Sequence, residues 1–470
     1  MESLKAWWDK LLIIGPPIGY FPNATKTWLV VKQEHLDKAR ELFDGTGIQI
    51  TQEGTGDKSG GQRYLGAAIG TQSFIKQYVQ DKVAKWVTEL EELCKIAQTE
   101  PQLAYSAYIT GLSKRWTYVM RTIPNIADLF APLEACIRSS FLPIIVGNHA
   151  FTDTDRDIYS LPTRFGGLAV SNPVEMCPLE YSLSRKATQP LTEAILNQKL
   201  TLSPEETHEM NQKIKHAKNG ISSEKTLYNK YKLASIKAKC TDDISRNLDI
   251  LCQKGASSWL TALPLEEFHY TLSKQEFTDA VLMRYKHPIR DRPQICACSK
   301  ANTIDHALSC AMGGYRDMRH NQIRDLEASL LEEVCKDVRT EPKLLPLTGE
   351  TFKLKTTNTR PDARLDITAR GVWNTVDKTF FDVRVFHDGN KSNSGPIDKV
   401  FQKHEAEKKR TYNSRVLEVE KSTFTPLVFS TSGSMGKEAE AFHKRIATLI
   451  SNKRGTPYSD TISHIRRKLR

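Results

Sequence analysis

Two neighbouring stretches decide the fold of the C-terminal part of the chain: Arg360-Pro-Asp-Ala-Arg-Leu-Asp-Ile367 and Thr379-Phe-Phe-Asp-Val-Arg-Val385. Their apolar residues, with a turn at Gly371 between them, predict two paired β-strands. Each stretch carries one acid flanked by apolar residues, Asp366 in the first and Asp382 in the second. A carboxylate in such a position is costly to bury unless it is paired with a cation or binds a metal ion. The two acids therefore mark a candidate site.

This candidate site suits a divalent metal ion. Glu341, upstream of both stretches, can supply a third carboxylate. A magnesium or manganese ion held by such oxygen ligands would activate water and neutralise the charge of a phosphate group. In the alternative interpretation, Asp366 and Asp382 form ion pairs on the sheet surface with Arg364 and Arg384, and no metal ion is involved.

A basic group must also position the water or stabilise the phosphate. Arg384 lies two residues after Asp382 and therefore points to the same face of the strand. Because its guanidinium stays charged near neutral pH, it can stabilise negative charge but cannot act as a base. Lys408 and Lys409, on a helix predicted over residues 404–412, are the other candidates.

A histidine near the start of another predicted helix, over residues 316–336, is a further candidate. His320 lies in the run Arg319-His-Asn321. It can contact a phosphate or orient a group that does, and the alternative is a histidine that caps or packs the helix.

A second candidate site is a cluster of cysteine and histidine. Cys296, Cys298, His306 and Cys310 follow the pattern C-x-C-x7-H-x3-C. Thiolate and imidazole ligands at close spacing suit tetrahedral zinc, which would help to fold a segment too short to have its own core. The alternative is a set of unligated thiols beside a helix. The remaining cysteines are scattered along the chain and are expected to be buried or inert.

Composition limits the class of protein. The chain has 470 residues and a formal net charge of +12, from 67 lysines and arginines against 55 acids, which suits a polyanionic partner such as DNA or RNA. No stretch of 18 uncharged apolar residues occurs, so we expect no membrane association. Nine sparse cysteines favour a reducing compartment, the nucleus or alternatively the cytoplasm.

The predicted fold class is a multidomain α+β protein. We expect a strand–helix–hairpin unit, a mainly helical part, a helical connector, the cysteine and histidine cluster, a compact α/β domain and a basic tail. In that order, their predicted boundaries are 1–72, 73–240, 241–290, 291–315, 316–452 and 453–470.

The order of these parts resembles the C-terminal portion of a non-LTR retrotransposon reverse transcriptase. Gly15-Pro-Pro-Ile-Gly-Tyr-Phe-Pro-Asn-Ala-Thr-Lys-Thr-Trp-Leu-Val-Val-Lys32 resembles the late palm, and Tyr64-Leu-Gly-Ala-Ala-Ile69 resembles the hairpin that grips the primer. The helices that follow look like the thumb. The remaining parts resemble the CCHC zinc knuckle and the restriction-like endonuclease of that family, so the resemblance covers nearly the whole chain.

The resemblance implies roles for particular residues. Asp366 and Asp382 would hold the metal ion, although Asp362, which follows a proline, competes with Asp366 for the place of the first acid. We prefer Asp366 because it lies within the apolar stretch. The family's catalytic lysine has no unambiguous match, and the candidates remain Lys408 and Lys409. The expected catalytic residues are Asp366, Asp382, Glu341, Lys408 and His320, and the expected nucleic-acid contacts are Arg319, Asn321, Arg384 and Lys409.

The function that the resemblance implies is nicking of target DNA without polymerisation. A reverse transcriptase needs a Tyr-x-Asp-Asp hairpin, whereas the only Asp-Asp pair in this chain is in Thr241-Asp-Asp-Ile244, outside any palm context. We therefore expect a fragment of a longer element, truncated or retained by a host, that could act with an intact retroelement reverse transcriptase. The alternatives are a non-catalytic nucleic-acid-binding protein and a decayed relic.

Overall fold

The computed structural model describes residues 1–53, 60–197, 203–289, 292–312 and 314–468. The chain forms two compact units. The first consists of Met1–Thr99, Ala107–Ile144 and Ser171–Leu227. The second consists of Glu100–Ser106, Ile145–Val170 and Tyr228–Arg470.

The fold is mixed α+β, as the sequence predicts, with helices predominating over small sheets. In chain order the helices are α1 Glu2–Ile14, α2 Leu36–Leu42, α3 Gln72–Ala97, α4 Pro101–Ala107, α5 Ser113–Thr122, α6 Ala131–Cys136, α7 Leu142–Ile145, α8 Asp153–Ser160, α9 Pro173–Leu196, α10 Pro204–Lys239, α11 Asp242–Leu251, α12 Lys274–Arg284, α13 Ile304–Ser309, α14 Tyr315–Val334, α15 Ile397–Glu418, α16 Lys437–Arg454 and α17 Tyr458–Lys468. The strands are β1 Trp28–Lys32, β2 Gln49–Glu53, β3 Gly61–Tyr64, β4 Ala67–Gly70, β5 Lys336–Thr340, β6 Ile367–Arg370, β7 Lys378–Phe386 and β8 Thr423–Ser430.

The first unit begins with two small sheets. Strands β1 and β2 pair in parallel, and α2, which lies between them in sequence, packs its buried Leu36 and Ala39 against Val31. Strands β3 and β4 form an antiparallel hairpin. Its turn residues, Leu65 and Gly66, both have positive φ, as a tight two-residue hairpin turn requires.

The helices of the first unit enclose an aromatic core. Trp86 of α3 and Trp116 of α5 are buried, with ring centroids 6.0 Å apart, and Phe130 stacks on Trp86 at 6.3 Å. These tryptophans therefore pack the core and are not available to stack on nucleic-acid bases. Tyr118 of α5 remains exposed, and its hydroxyl donates a hydrogen bond to the carbonyl of Leu65.

The second unit is built on a four-stranded sheet with the order β5-β6-β7-β8. Strand β6 pairs antiparallel with both β5 and β7, whereas β8 runs parallel to β7. Two parallel strands need a long crossover connection, and α15 lies in it. Strand β7 is thus an inner strand, which explains its nearly continuous apolar sequence.

Helices cover both faces of this sheet. On one face, α14, α16 and α17 pack with Phe381 and Val383 of β7 in one hydrophobic core. On the other face, α15 packs with Phe380 and Phe386 of the same strand. The basic end of the chain is helical up to Lys468 and contributes to the first of these cores through Ile462 and Ile465, so it is not an irregular tail.

The predicted domain boundaries are neither confirmed nor contradicted by the structure. Its two compact units combine segments that are separated in sequence. Within the described residues, every helix is too short or too polar to cross a membrane.

A buried pair of hydrogen-bonded polar side chains joins two helices in the core of the second unit. His443 Nε2 of α16 lies 2.8 Å from Glu327 Oε1 of α14, and both side chains are almost completely buried. Removing one partner of such a pair leaves the other polar group buried without compensation. We expect Glu327→Ala to lower the free energy of unfolding by about 3 kcal/mol, measured by urea denaturation.

The matched control is Glu332→Ala, because Glu332 is exposed on the same helix. It should change the free energy of unfolding by less than about 0.5 kcal/mol. If the two variants were equally stable, the buried pair would not hold the two helices together.

A second test concerns pH. The ring of His287 stacks near that of His149, with centroids 4.2 Å apart, and its Nε2 lies 2.7 Å from the hydroxyl of Tyr159. Burial lowers the pKa of His287 to about 4, and His149 adds to this, while Asp155 opposes it. The ring of Tyr285 also packs nearby. His287 is therefore neutral in the folded protein at neutral pH.

This shift predicts a loss of stability in mild acid. The unfolded chain binds a proton at His287 near its ordinary pKa of about 6.5, so the stabilisation is complete above that pH and is lost as pH falls toward 4. Thermal unfolding at pH 7.5 and pH 5 should show a smaller decrease in Tm for His287→Gln than for the parent. His208→Gln, at an exposed position, is the control and should show the parent's pH dependence.

Candidate functional site

The alternation of side chains along β7 determines where the acid of that strand points. Successive residues of a strand face opposite sides of the sheet. Phe381 and Val383 face the core formed with α14 and α16, so Asp382 between them faces α15. A cation on α15 opposite Asp382 can therefore compensate the charge of the buried carboxylate.

Lys408 of α15 provides that cation. Its Nζ lies 2.5 Å from Asp382 Oδ2, and the Asp382 side chain is only 7% exposed. The Lys408 ammonium is thus the partner of this buried carboxylate oxygen. Burial raises the pKa of Asp382, the Asp366 carboxylate raises it further, and Lys408 and His320 lower it, with a result of about 6.

Asp366 lies beside Asp382, immediately before β6. Its Oδ2 accepts a hydrogen bond of 2.6 Å from the backbone N–H of Val383, the residue after Asp382 on the neighbouring strand. Its own backbone N–H donates to the carbonyl of Phe381. The antiparallel pairing of β6 with β7 thus brings the two carboxylates together, as predicted from the sequence.

His320 of α14 completes a group of four charged side chains. Its Nε2 lies 3.3 Å from Asp366 Oδ2 and 3.1 Å from the carbonyl of Val383, and Asn321 Oδ1 lies 3.3 Å from its Nδ1. The hydrogen bond to Asp366 raises the pKa of His320 to about 9, although burial opposes this. The imidazole is therefore a cation at neutral pH, and two cations face two carboxylates.

The third predicted acid is held elsewhere. Glu341 Oε1 lies 2.5 Å from a guanidinium nitrogen of Arg324, and its Oε2 lies 3.6 Å from one of Arg364. The backbone of Glu341 is nonetheless next to the acidic pair, since its N–H donates to the carbonyl of Asp366. Its carboxylate would have to leave two arginines to join Asp366 and Asp382.

The structure separates the two candidate lysines. Lys409 Nζ lies 2.5 Å from Glu438 of α16, whereas Lys408 faces Asp382. Arg384 lies on the same face as Asp382, as expected, and forms an ion pair of 3.0 Å with Glu407. It does not pair with either acid in the way that the alternative of surface ion pairs required.

The structure also shows where two other predicted residues, Asp362 and Arg319, lie. Asp362, the competing first acid, is exposed in a turn, whereas Asp366 is in the group of four. Arg319, expected to contact nucleic acid, donates a hydrogen bond of 2.9 Å to the carbonyl of Leu308 in α13. The side chain of Arg319 is therefore directed toward the cysteine and histidine segment.

Two residues that support the site, Arg415 and Glu405, are not among those predicted from the sequence. Arg415 of α15 is completely buried and donates hydrogen bonds to the carbonyls of Leu345, Asn358 and Arg360, which anchors the long loop before Asp366. Glu405 of α15 accepts a hydrogen bond of 3.0 Å from the backbone N–H of Glu438 in the first turn of α16.

The sequence feature that could have indicated the role of Glu405 is a glycine, Gly436. A Cβ atom at Gly436 would collide with Glu405 Oε1, so only glycine allows this carboxylate to reach the start of α16. A glycine just before a predicted helix is a weak sequence signal. No local pattern in the sequence points to Arg415, because its partners lie far away along the chain.

The cysteine and histidine residues converge as predicted. The sulfur atoms of Cys296 and Cys310 are 3.8 Å apart, and Cys298 Sγ lies 3.1 Å from His306 Nε2. The ligand atoms of all four residues lie within 4.8 Å of one another. A tight turn with positive φ at Ser299 supplies the two closely spaced cysteines.

The helix α13 supplies the other half of the cluster. Thr303 caps α13, accepting a hydrogen bond from the backbone N–H of His306, and Cys310 follows the last residue of the helix. The backbone N–H of Cys298 and the side chain of His306 lower the pKa of Cys296 to about 6. Three sulfur atoms and an imidazole nitrogen this close together form the usual ligand set of tetrahedral zinc, so these four residues could hold a metal ion such as zinc.

Among the described residues, this is the one place where three or more histidine, cysteine or acidic side chains converge closely enough for a metal ion. Asp366, Asp382 and the nearby His320 are not among the groups of described residues that meet this condition. No protein-family model matches the chain, and no curated protein matches it at a significant level.

The metal cluster can be tested by elemental analysis. We expect the purified protein to carry about one equivalent of a transition metal, because four converging ligands bind tightly. Cys310→Ser should remove most of it and lower the melting temperature. Less than half an equivalent in the parent would contradict the assignment.

The control is Cys335→Ser. Cys335 is a partly buried cysteine outside the cluster. This variant should keep the metal content of the parent, so that a loss in Cys310→Ser reports on ligation and not on cysteine content.

Proposed function

We propose that the second unit is a metal-dependent endonuclease that nicks DNA, in a protein of the non-LTR retrotransposon type. The observation that carries this proposal is the group of four charged residues. Asp366 lies immediately before β6 and Asp382 lies on the neighbouring strand β7, and Lys408 contacts the second acid at 2.5 Å. A carboxylate pair with a lysine at hand is suited to cleave a phosphodiester bond.

The acids fit a hard divalent cation. The Asp382 carboxylate is buried, with only the Lys408 ammonium at 2.5 Å from its Oδ2 to be displaced, and Asp366 supplies a second carboxylate beside it. Magnesium is commonly bound through one or two carboxylates, with water and substrate phosphate as its other ligands. Magnesium or manganese, when bound, would act as a Lewis acid on the phosphate.

The remaining residues would orient and stabilise the substrate. Lys408, released from Asp382, can donate to a phosphate oxygen and stabilise the charge that develops there. His320, already protonated, holds Asp366 in position and adds positive charge. Arg384 on the same face can contact a neighbouring phosphate if it leaves Glu407.

For the cysteine and histidine cluster we propose structural zinc. A closed set of four protein ligands is typical of structural rather than catalytic sites. The cluster would hold the turn that contains Cys296 and Cys298 against the helix α13.

The expected partners are DNA and RNA, and the expected location is the nucleus, with the cytoplasm as the alternative. The formal net charge of +12 supports binding to phosphate backbones. We expect no polymerase activity from this chain, and an intact retroelement reverse transcriptase remains a proposed partner.

A non-catalytic nucleic-acid-binding protein is the second candidate. The observation in its favour is that the charged residues of the site already neutralise one another. Lys408 pairs with Asp382, His320 pairs with Asp366, and Arg324 occupies Glu341. Such a network would be stable without metal or substrate.

Nicking of supercoiled plasmid DNA with magnesium or manganese separates the two candidates. We expect the parent to convert supercoiled to open-circular DNA, and Asp366→Asn and Asp382→Asn to abolish the conversion because they remove metal ligands. Lys408→Met should slow it by about 100-fold, the usual effect of losing one charge-stabilising group. Gel electrophoresis measures the rates.

The matched controls are Asp362→Asn and Lys403→Met, which change the same residue types at exposed positions outside the group of four. Both should nick within about threefold of the parent. If Asp382→Asn nicked as fast as the parent, the proposed catalytic site would be wrong. A parent that binds DNA but does not nick it would favour the second candidate.

A further inference from the structure

The second unit contains a cavity that neither Asp366 nor Asp382 lines. Its volume is about 470 Å³, within the range of small-molecule sites. Its walls come from α11, α12, α13, α14, the ends of β7 and β8, and α17. Elements from distant parts of the sequence thus meet around an internal space.

Two arginines with unused donors line this cavity. The Nε atoms of Arg319 and Arg466 are both buried, and neither has a hydrogen-bond partner among the described residues. Burial lowers the pKa of Arg319, and nearby Arg316 contributes in the same direction. A buried guanidinium donor without an acceptor is costly, and an anion in the cavity would remove that cost.

The acids of the cavity are already engaged. Asp388 accepts a hydrogen bond of 2.5 Å from Ser432, and Asp305 lies 2.8 Å from His387 Nε2. Glu276 accepts one of 2.8 Å from the backbone N–H of Ser273 at the start of α12. The cavity therefore offers free positive donors but few free negative acceptors.

The other walls are apolar and include one large aromatic ring. Trp259 lines the cavity, and Phe277 packs against it with centroids 5.9 Å apart. Ile250, Leu308 and Leu326 are among the aliphatic neighbours. An aromatic ring among aliphatic side chains suits a flat heterocycle, which stacks on indole.

We propose that this cavity binds a nucleoside monophosphate. Its phosphate would accept from Arg319 and Arg466, and its base would lie in the apolar part beside Trp259. The nucleotide can be free or can be the phosphorylated end of a strand, since both carry the same chemistry. The proposal concerns binding alone and does not depend on cleavage of DNA.

Isothermal titration calorimetry of the full chain, without divalent cations, tests the proposal. The probes are dAMP, deoxyadenosine and inorganic phosphate. We expect dAMP to bind at least about tenfold more tightly than either fragment, because only dAMP satisfies both parts of the cavity. A 5′-phosphorylated oligonucleotide, compared with its unphosphorylated form, shows whether a strand end is accepted as well.

Variants locate the bound nucleotide. The double variant Arg319→Gln, Arg466→Gln should weaken dAMP binding by at least about tenfold, since it removes both guanidinium groups. Arg316→Gln with Arg467→Gln, which alters residues of the same two helices that do not line the cavity, is the control and should bind as the parent does. Trp259→Phe should retain most of the affinity and Trp259→Leu should lose it.

Three results would overturn the proposal: no binding of dAMP at millimolar concentration, equal affinity for dAMP and inorganic phosphate, or equal losses in the cavity and control variants. Thermal unfolding of each variant checks that it folds. If the double variant does not fold, dAMP binding by Arg466→Lys tests the proposal instead, because lysine keeps the charge and removes the buried Nε donor.

Discussion

A carboxylate in an inner strand that is covered on both faces is the constraint on which the second unit depends. Asp382 is almost completely shielded from bulk water in the middle of β7, because α15 covers its face of the sheet. Burial alone would favour its protonated form. Lys408 must therefore lie on α15 directly opposite Asp382, and this requirement sets the position of the helix along the sheet.

Other parts of the unit serve the same arrangement. Arg415, two turns further along α15, ties the loop before β6 to this helix through three backbone carbonyls. Glu405, one turn before Lys408, joins α15 to the start of α16. A single helix thus positions a catalytic candidate, a loop and a neighbouring helix, so a change in its register would disturb all three.

The sequence predicts those features that depend on local spacing. The pairing of the two stretches that contain Asp366 and Asp382, and the convergence of Cys296 and Cys310, follow from alternation and short gaps. The choice between Lys408 and Lys409 does not, because neighbouring helical residues differ by 100° in direction and packing alone decides which one faces the sheet. Asp366 also lies just before its strand rather than within it.

Long-range electrostatics account for most of what the sequence could not predict. Glu341 is next to the site in the backbone, but Arg324, on the preceding helix, captures its carboxylate. The buried pair of Glu327 and His443 joins residues more than a hundred positions apart. Spacing within a segment contains no information about such partners, since either residue alone resembles an ordinary polar position on a helix.

The short helix α13 takes part in two structures at once. It contributes His306 to the metal cluster, while Asp305 and Leu308 on the same helix line the cavity. Asp305 also holds His387 at the end of β7. Any coupling between the two sites through α13 must be reciprocal: if metal strengthens a ligand's binding to the cavity by some factor, the ligand must strengthen metal binding by the same factor. The affinity of the cavity for its ligand, measured on protein prepared without metal, would then differ from that of the metal-bound protein.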